Sequence, residues 1–174
     1  MKLELGGGDA PTSGYDGIDR IQKDWCKYCF DMEKTFPWPI ESNKYDEVIA
    51  IHVLEHFNLS KANIIFSEVF RILKQNGIFK VHVPNGEVIC KAYLSKKDKT
   101  ICIYPMYGGE TQVESEYSFA HKVLYDEYML FQIFNNTGFA QIENYTNDVS
   151  DRHDDFWEKH LNGKISLKMS GKKV

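Results

Sequence analysis

The stretch YDEVIAIHVLEHFNLSKANIIFSEVFRILKQNGIFKVHVPN, from Tyr45 to Asn85, predicts a strand, a helix and a second strand in succession. Tyr45–Val53 is apolar and β-branched, which is typical of a buried strand. Ser60 is a suitable N-cap for the helix that follows, and Gly77 is predicted to end it at the C′ position. The helix has its apolar residues on one face, namely Ile64, Ile65, Val69, Ile72 and Leu73. Ile78–Val83 then forms the second strand, and this order favours an α/β fold with a mostly parallel sheet.

The same alternation continues on both sides of this unit. Upstream, strands are predicted at 2–5, 15–20 and 28–32. Downstream, Asp126 is expected to cap a helix over 127–136 that ends at Gly138, and strands follow at 139–146 and 164–170. Residues 86–124 contain few periodic segments and predict no defined element. The fold class is therefore a single α/β domain over 1–174, with a Rossmann-like, mostly parallel seven-stranded sheet whose last strand is antiparallel.

Three glycines, Gly6, Gly7 and Gly8, follow the first strand directly. Glycines at this point let the backbone approach a ligand closely and offer it N–H groups. The third glycine of a dinucleotide fingerprint is missing, and Asp19 follows Gly8 too soon for a crossover helix of normal length. The first helices are therefore expected to be shortened or absent, which would leave the site open on that side.

Composition excludes several classes of protein. The net charge of −4 argues against a partner held by its phosphates, so no nucleic acid is expected. No apolar run is long enough to span a bilayer, and no signal peptide is recognisable. Four cysteines in 174 residues do not form a disulfide scaffold, so a cytoplasmic protein with reduced thiols is expected. No pattern indicates an oligomeric state.

Blocks of this sequence, in their order and spacing, resemble the class I methyltransferases that depend on S-adenosylmethionine, especially their small type-11-like members. The blocks LELGGGDAP, GYDGID, FDMEKTFPWPIESNKYDEVIAIHVLEHF and EVFRILKQNGIFKVHVPN run from Leu3 to Asn85. The resemblance resumes more loosely at SFAH, residues 118–121, and at the helix that ends before Phe139. It implies S-adenosylmethionine as cofactor and methyl transfer as activity.

The resemblance also assigns roles to single residues. Glu4 and the backbone of Gly6, Gly7 and Gly8 would hold the methionine moiety, whose ammonium needs an acceptor and whose carboxylate needs donors. Asp19, at the end of the second strand, would bind the ribose hydroxyls.

Further along the chain, Asp31 would accept from the adenine amino group while Met32 packs beside the ring. His52 would face the cofactor near its sulfonium, and His121 is the candidate general base. The acceptor is expected to be a small molecule or a glycan-like compound methylated at oxygen or nitrogen. Pro-Cys and D/N/S-P-P-Y motifs are missing, which argues against methylation of DNA bases.

Three alternatives remain open at this point. The chain could bind S-adenosylmethionine without catalysis, as a sensor or partner subunit. The HVLEH motif from His52 to His56 matches the H-x-x-E-H pattern of zinc peptidases, but these histidines would straddle the junction of a strand and a helix. The W-C-x-x-C motif at Cys26 and Cys29 resembles a redox or zinc site, yet it lacks a buried strand before it. No metal ion is therefore expected.

Overall fold

The computed structural model describes residues 1–95, 99–109, 120–149, 151, 154, 161 and 164–174. The lysine-rich segment at 96–98 and the SF of the SFAH block lie outside these residues. The strands are β1 (Lys2–Leu5), β2 (Asp16–Asp19), β3 (Cys26–Cys29), β4 (Tyr45–Ile51), β5 (Leu73–Pro84), β6 (Phe139–Asn144) and β7 (Ser166–Lys173). The helices are α1 (Leu59–Ile72), α2 (Gly86–Ser95), α3 (Ile103–Tyr107) and α4 (Glu127–Thr137), with 3-10 turns at Leu54–His56 and Thr100–Cys102.

The seven strands form one sheet in the order β3-β2-β1-β4-β5-β7-β6. Strands β1 to β5 pair in parallel, and β7 lies antiparallel between β5 and β6. This confirms the predicted Rossmann-like sheet with its last strand antiparallel. In the described part of the chain, none of the helices is long and apolar enough to cross a membrane.

The connections between the first three strands contain no helix. Residues 6–15 and 20–25 are all described, and they form turns and irregular backbone, as predicted from their length. The Trp25 ring lies against Gly17 of β2, where a Cβ atom on the glycine would overlap the indole. An indole thus covers part of the sheet face that a crossover helix covers in other doubly wound folds.

Helix α1 differs at both ends from the sequence prediction. Its N-cap is Asn58, whose side chain accepts from the backbone N–H of Lys61 at 3.0 Å, so Ser60 lies inside the helix. The helix ends at Ile72, because Leu73 is extended, fully buried and paired with Tyr45 in the sheet. Gly77 therefore lies within β5 and not at a helix C-terminus.

Smaller corrections concern one side chain and one strand. Ile64 was predicted on the buried face of α1, yet it is 37% exposed. Strand β3 lies at Cys26–Cys29, two residues before its predicted start, where it pairs with Gly17–Asp19 of β2. Helix α4 is as predicted: Asp126 accepts from Met129 N–H at 2.7 Å, and Gly138 ends the helix with φ of 101°.

The two faces of the sheet differ in chemistry. On the face packed by α1 and α4, the rings of Phe66 and Phe134 lie 4.9 Å apart, and Phe79 lies 5.0 Å from Phe66. The alternate residues of β5 point to the other face, where Lys80 Nζ pairs with Glu47 at 2.8 Å. At strand β5, the described apolar core therefore lies on the side of the sheet that α1 and α4 cover.

Polar side chains continue across that second face into β7. His82 Nδ1 lies 2.8 Å from Asp151 and its Nε2 lies 2.9 Å from the Tyr145 hydroxyl. Lys168 is fully buried and paired with Asp154, which is also fully buried. Burial of these charges is tolerated because each has a partner of opposite sign.

Candidate functional site

A cavity of about 680 Å³ opens at the carboxyl ends of β1, β2 and β4. The carboxyl ends of parallel strands meet at one edge of the sheet, which is where ligands bind in open α/β folds. This volume falls in the range of small-molecule sites. The cavity is lined by Gly6, Gly7, Gly8, Asp9, Ala10, Asp19, Arg20, Ile21, Lys23, Phe30, Asp31, Met32, Glu33, Lys34, Ile51, His52, Val53, His56, Phe57 and Lys122.

The glycine loop has a conformation that side chains disfavour. Gly6 and Gly8 have φ of 60° and 58°, in the left-handed region where glycine carries no steric penalty. A Cβ on Gly6 would lie 2.9 Å from a methyl of Val53. The loop therefore keeps its backbone at the cavity wall, within reach of a ligand.

Glu4 lies beneath this loop and not in the cavity wall. It is 1% exposed, and one carboxylate oxygen accepts from the backbone N–H of Thr12. The other oxygen, Oε1, has no hydrogen-bond partner among the described residues. Glu4 thus holds the loop from below and brings a buried negative charge close to it.

Two carboxylates line the cavity: Asp19 at the end of β2, and Asp31 just after β3. Asp19 Oδ1 accepts from Ile21 N–H at 3.0 Å, and Asp31 Oδ1 accepts from Glu33 N–H at 2.8 Å. These turns fix the orientation of both side chains, while Met32, 8% exposed, supplies an apolar wall next to Asp31. The pair can accept hydrogen bonds from a polyhydroxylated ligand that carries an aromatic ring.

His52 follows β4 with φ of 52°, an uncommon value for a residue with a side chain. Its Nε2 lies 2.8 Å from the Ser166 hydroxyl, and that hydroxyl lies 3.1 Å from Asp151, to which it donates. The Ser166 oxygen therefore accepts from His52 Nε2–H. This contact fixes the ring at the cavity wall, with its Nδ1 3.3 Å from Oε1 of Glu55.

Glu55, His56 and His121 form a second polar group beside the cavity. The three side chains each offer a ligand atom, and these atoms lie within 4.8 Å of one another. Backbone bonds hold the segments together, since Lys122 N–H donates to the Glu55 carbonyl at 2.7 Å. His56 reaches the cavity wall, and its ring centroid lies 5.1 Å from that of His121.

Burial and charge shift two pKa values in this group. Burial alone would raise the pKa of the Glu55 carboxyl, but the contacts with His52 and His56 outweigh it and leave this pKa below its ordinary value. Burial lowers the pKa of His121, although the Glu55 carboxylate opposes that shift. Glu55 is therefore ionised at neutral pH, and His121 is neutral.

The cavity fits S-adenosylmethionine on several observations. The glycine backbone can donate to a carboxylate, the unpartnered Glu4 Oε1 suits a nearby ammonium, and the carboxylates of Asp19 and Asp31 suit a ribose and an adenine amino group. The volume and the mixture of apolar and acidic walls are consistent with the same ligand.

The predicted site residues fall into two sets. Seven line the cavity: Gly6, Gly7, Gly8, Asp19, Asp31, Met32 and His52. Glu4 lies beneath it, and His121 lies beside His56. Sequence reasoning missed Lys23 and Lys122 in the wall. Lys23 Nζ bonds to the Gly8 carbonyl at 3.0 Å, and nothing in the sequence near it indicates this contact.

The two cysteine and histidine motifs do not form the sites that their patterns suggest. Cys26 is buried and Cys29 exposed on β3 itself, so the pair does not open a helix as a thioredoxin motif does. His52 and His56 lie on either side of the junction between β4 and the 3-10 turn, as expected, and not on one helix.

Comparison with known proteins agrees with this geometry. Residues 18–81 match the model of a methyltransferase domain family. No curated protein matches the chain in sequence.

Solved structures share the fold over almost the whole chain. A SAM-dependent methyltransferase from Archaeoglobus fulgidus is 17% identical, with a TM-score of 0.60 over 99% of this chain and 85% of that one. One from Methanosarcina mazei is 15% identical, with a TM-score of 0.61 over 99% and 92%. One from Mesorhizobium loti is 14% identical, with a TM-score of 0.59 over 98% and 89%. The chain therefore has the fold of these S-adenosylmethionine-dependent methyltransferases, and its residues 18–81 resemble a methyltransferase domain.

Proposed function

We propose that the protein is an S-adenosylmethionine-dependent methyltransferase that acts on a small-molecule or glycan-like acceptor, at oxygen or nitrogen. The observation that carries the proposal is the position of the Glu55–His56–His121 group beside the cavity, where polar side chains can bind an acceptor hydroxyl or amine. The net charge of −4 makes a nucleic acid an unfavourable acceptor.

The cofactor roles proposed for the cavity residues follow from their chemistry. The backbone of Gly6, Gly7 and Gly8 binds the carboxylate of the methionine moiety, and Glu4 attracts its ammonium. Asp19 accepts from the ribose hydroxyls. These roles match the orientation of the loop over the buried Glu4 charge.

The adenine end is proposed to lie at the connection after β3. Asp31 accepts from the exocyclic amine, and Met32 packs on the ring. His52, fixed by Ser166, then borders the sulfonium end. When bound, the cofactor supplies a methyl group activated by a positively charged sulfur.

The acceptor is proposed to enter beside His56 and Lys122, which line the cavity near the 3-10 turn. Alignment of the acceptor atom with the methyl group is the main contribution required of the protein. Where the acceptor must lose a proton, His121 is the proposed base if no metal ion is bound. Its Nδ1 lies 3.1 Å from the Pro105 carbonyl and must donate to it, so Nε2 carries the lone pair.

The test is the release of S-adenosylhomocysteine from S-adenosylmethionine in the presence of a panel of hydroxyl and amine compounds. We expect turnover with at least one small-molecule class and none with DNA or RNA. Methylation of nucleic acid alone would refute the proposed acceptor class.

A second candidate function is binding of the cofactor without catalysis, as a sensor or partner subunit. It is favoured by the helix-free connections 6–15 and 20–25, which leave the cavity open beside β1 and β2. Tight binding of S-adenosylhomocysteine with no turnover across the whole panel would support this candidate over the enzyme.

A further inference from the structure

We propose that Glu55, His56 and His121 bind a divalent transition-metal ion. Their ligand atoms lie within 4.8 Å of one another. Small side-chain rotations would bring them to the separation of roughly 3.3 Å that donors have when each lies 2.0–2.1 Å from a tetrahedral zinc ion. This group differs from the H-x-x-E-H pattern, because it uses His121 in place of His52.

Glu55 provides the second, independent observation. The residue is fully buried, and neither carboxylate oxygen has a hydrogen-bond partner among the described residues. His52 Nδ1 lies 3.3 Å from Glu55 Oε1 without making a hydrogen bond to it. A buried carboxylate whose oxygens make no hydrogen bonds is costly, and a bound cation removes that cost.

The backbone orients both imidazoles as metal ligands require. Nδ1 of His56 lies 3.4 Å from the Ala120 carbonyl, and Nδ1 of His121 lies 3.1 Å from the Pro105 carbonyl. A carbonyl oxygen only accepts, so in each ring Nδ1 carries the proton and Nε2 the lone pair. Metal-binding histidines commonly have this bond from the second nitrogen to a carbonyl, which fixes the tautomer and the ring plane.

The donor set indicates the class of ion. Two imidazoles and one carboxylate suit zinc, iron(II) or cobalt, whereas calcium and magnesium prefer oxygen ligands throughout. Three protein ligands also leave a coordination position for water or a substrate, as in catalytic zinc sites. The sequence-based expectation of no metal is replaced by this proposal.

A role for the ion rests on the proposed function. His56 lines the cavity, so an acceptor hydroxyl at that wall could occupy the open coordination position, where the ion would lower its pKa. His121 cannot both bind the ion and accept a proton, since both need the Nε2 lone pair. In the metal-bound protein His121 is therefore a ligand and not a general base.

The test measures metal binding by the full chain without cofactor or acceptor. The chelator-treated protein is titrated with Co²⁺, followed by its visible absorption, and with Zn²⁺ by calorimetry. The variants are Glu55→Gln, which keeps the size of the side chain, and His121→Ala, in a loop. Cys29→Ser is the matched control, because an exposed thiol can also bind Co²⁺ or Zn²⁺.

We expect one ion per parent chain, with affinity lower by at least about tenfold in both variants and unchanged in the control. Zn²⁺ should raise the melting temperature of the parent and leave that of His121→Ala unchanged, which separates loss of the site from loss of the fold. Absence of binding to the parent, equal affinity in the variants, or loss of binding in Cys29→Ser would each overturn the proposal. None of these results bears on methyl transfer, because neither cofactor nor acceptor is present.

Discussion

Replacement of Asp19 by alanine tests the proposed orientation of the cofactor most directly. Asp19 ends β2 at the cavity wall, with Oδ1 already accepting from Ile21 N–H at 3.0 Å. Oδ2 is therefore the oxygen expected to accept from the ribose diol. A hydrogen bond to a charged group contributes roughly 1.5–3 kcal/mol. Its loss should weaken binding of S-adenosylhomocysteine by roughly 10- to 150-fold.

The assay is calorimetric titration of parent and variant, with Asp24→Ala as control. Asp24 is exposed, does not line the cavity and carries the same charge, so it reports any effect of the altered net charge on ligand binding. Unliganded Asp19→Ala should lose at most about 1 kcal/mol of unfolding free energy, since only the bond to Ile21 disappears. An unchanged dissociation constant, or an equal loss in the control, would mean that the ribose is bound elsewhere.

Three further predictions follow from the described contacts. Gly17→Ala should lower the unfolding free energy in urea by about 1–3 kcal/mol, because its Cβ would overlap Trp25; an unaltered midpoint would show that the indole is not packed there. Lys168→Met should cost about 3–5 kcal/mol by leaving Asp154 buried without its partner, and full stability at neutral pH would contradict that pairing. His121→Ala should keep the affinity for S-adenosylhomocysteine within about twofold while turnover falls by about 10²-fold or more; a variant with parental turnover would exclude His121 as a general base.

Most strands and helix α4 could be predicted from local sequence, because apolar pattern and capping residues mark them. Asp126 and Gly138 flank a periodic segment, and both have the predicted capping roles. The end of α1 could not be predicted in this way. Gly77 is a sound local stop signal, but burial of Leu73 against the sheet ends the helix earlier. Long-range packing decided that boundary.

The candidate site also has one part that local sequence pattern predicts and another part that depends on long-range contacts. Gly6, Asp19 and His52 could be placed together from sequence, because each follows a parallel strand and these ends meet at one edge. Residues 86–124 predicted no element, although they include α2 and α3. Proximity of Glu55 and His121 depends on the backbone bond from Lys122 to Glu55, a long-range contact that no local pattern reveals.

Because the two faces of strand β5 differ in chemistry, this strand allows apolar and charge interactions to be compared directly. Its odd positions, Phe79 and Val81, pack against helices, whereas its even positions, Lys80 and His82, belong to ionic and hydrogen-bonded pairs. Apolar contacts have no charge for salt to screen, whereas the partly exposed pair of Lys80 and Glu47 weakens as salt screens it. Neighbouring substitutions along a single strand should therefore separate into salt-independent and salt-dependent effects on unfolding, so that β5 acts as an internal comparison of the two forces that stabilise the sheet.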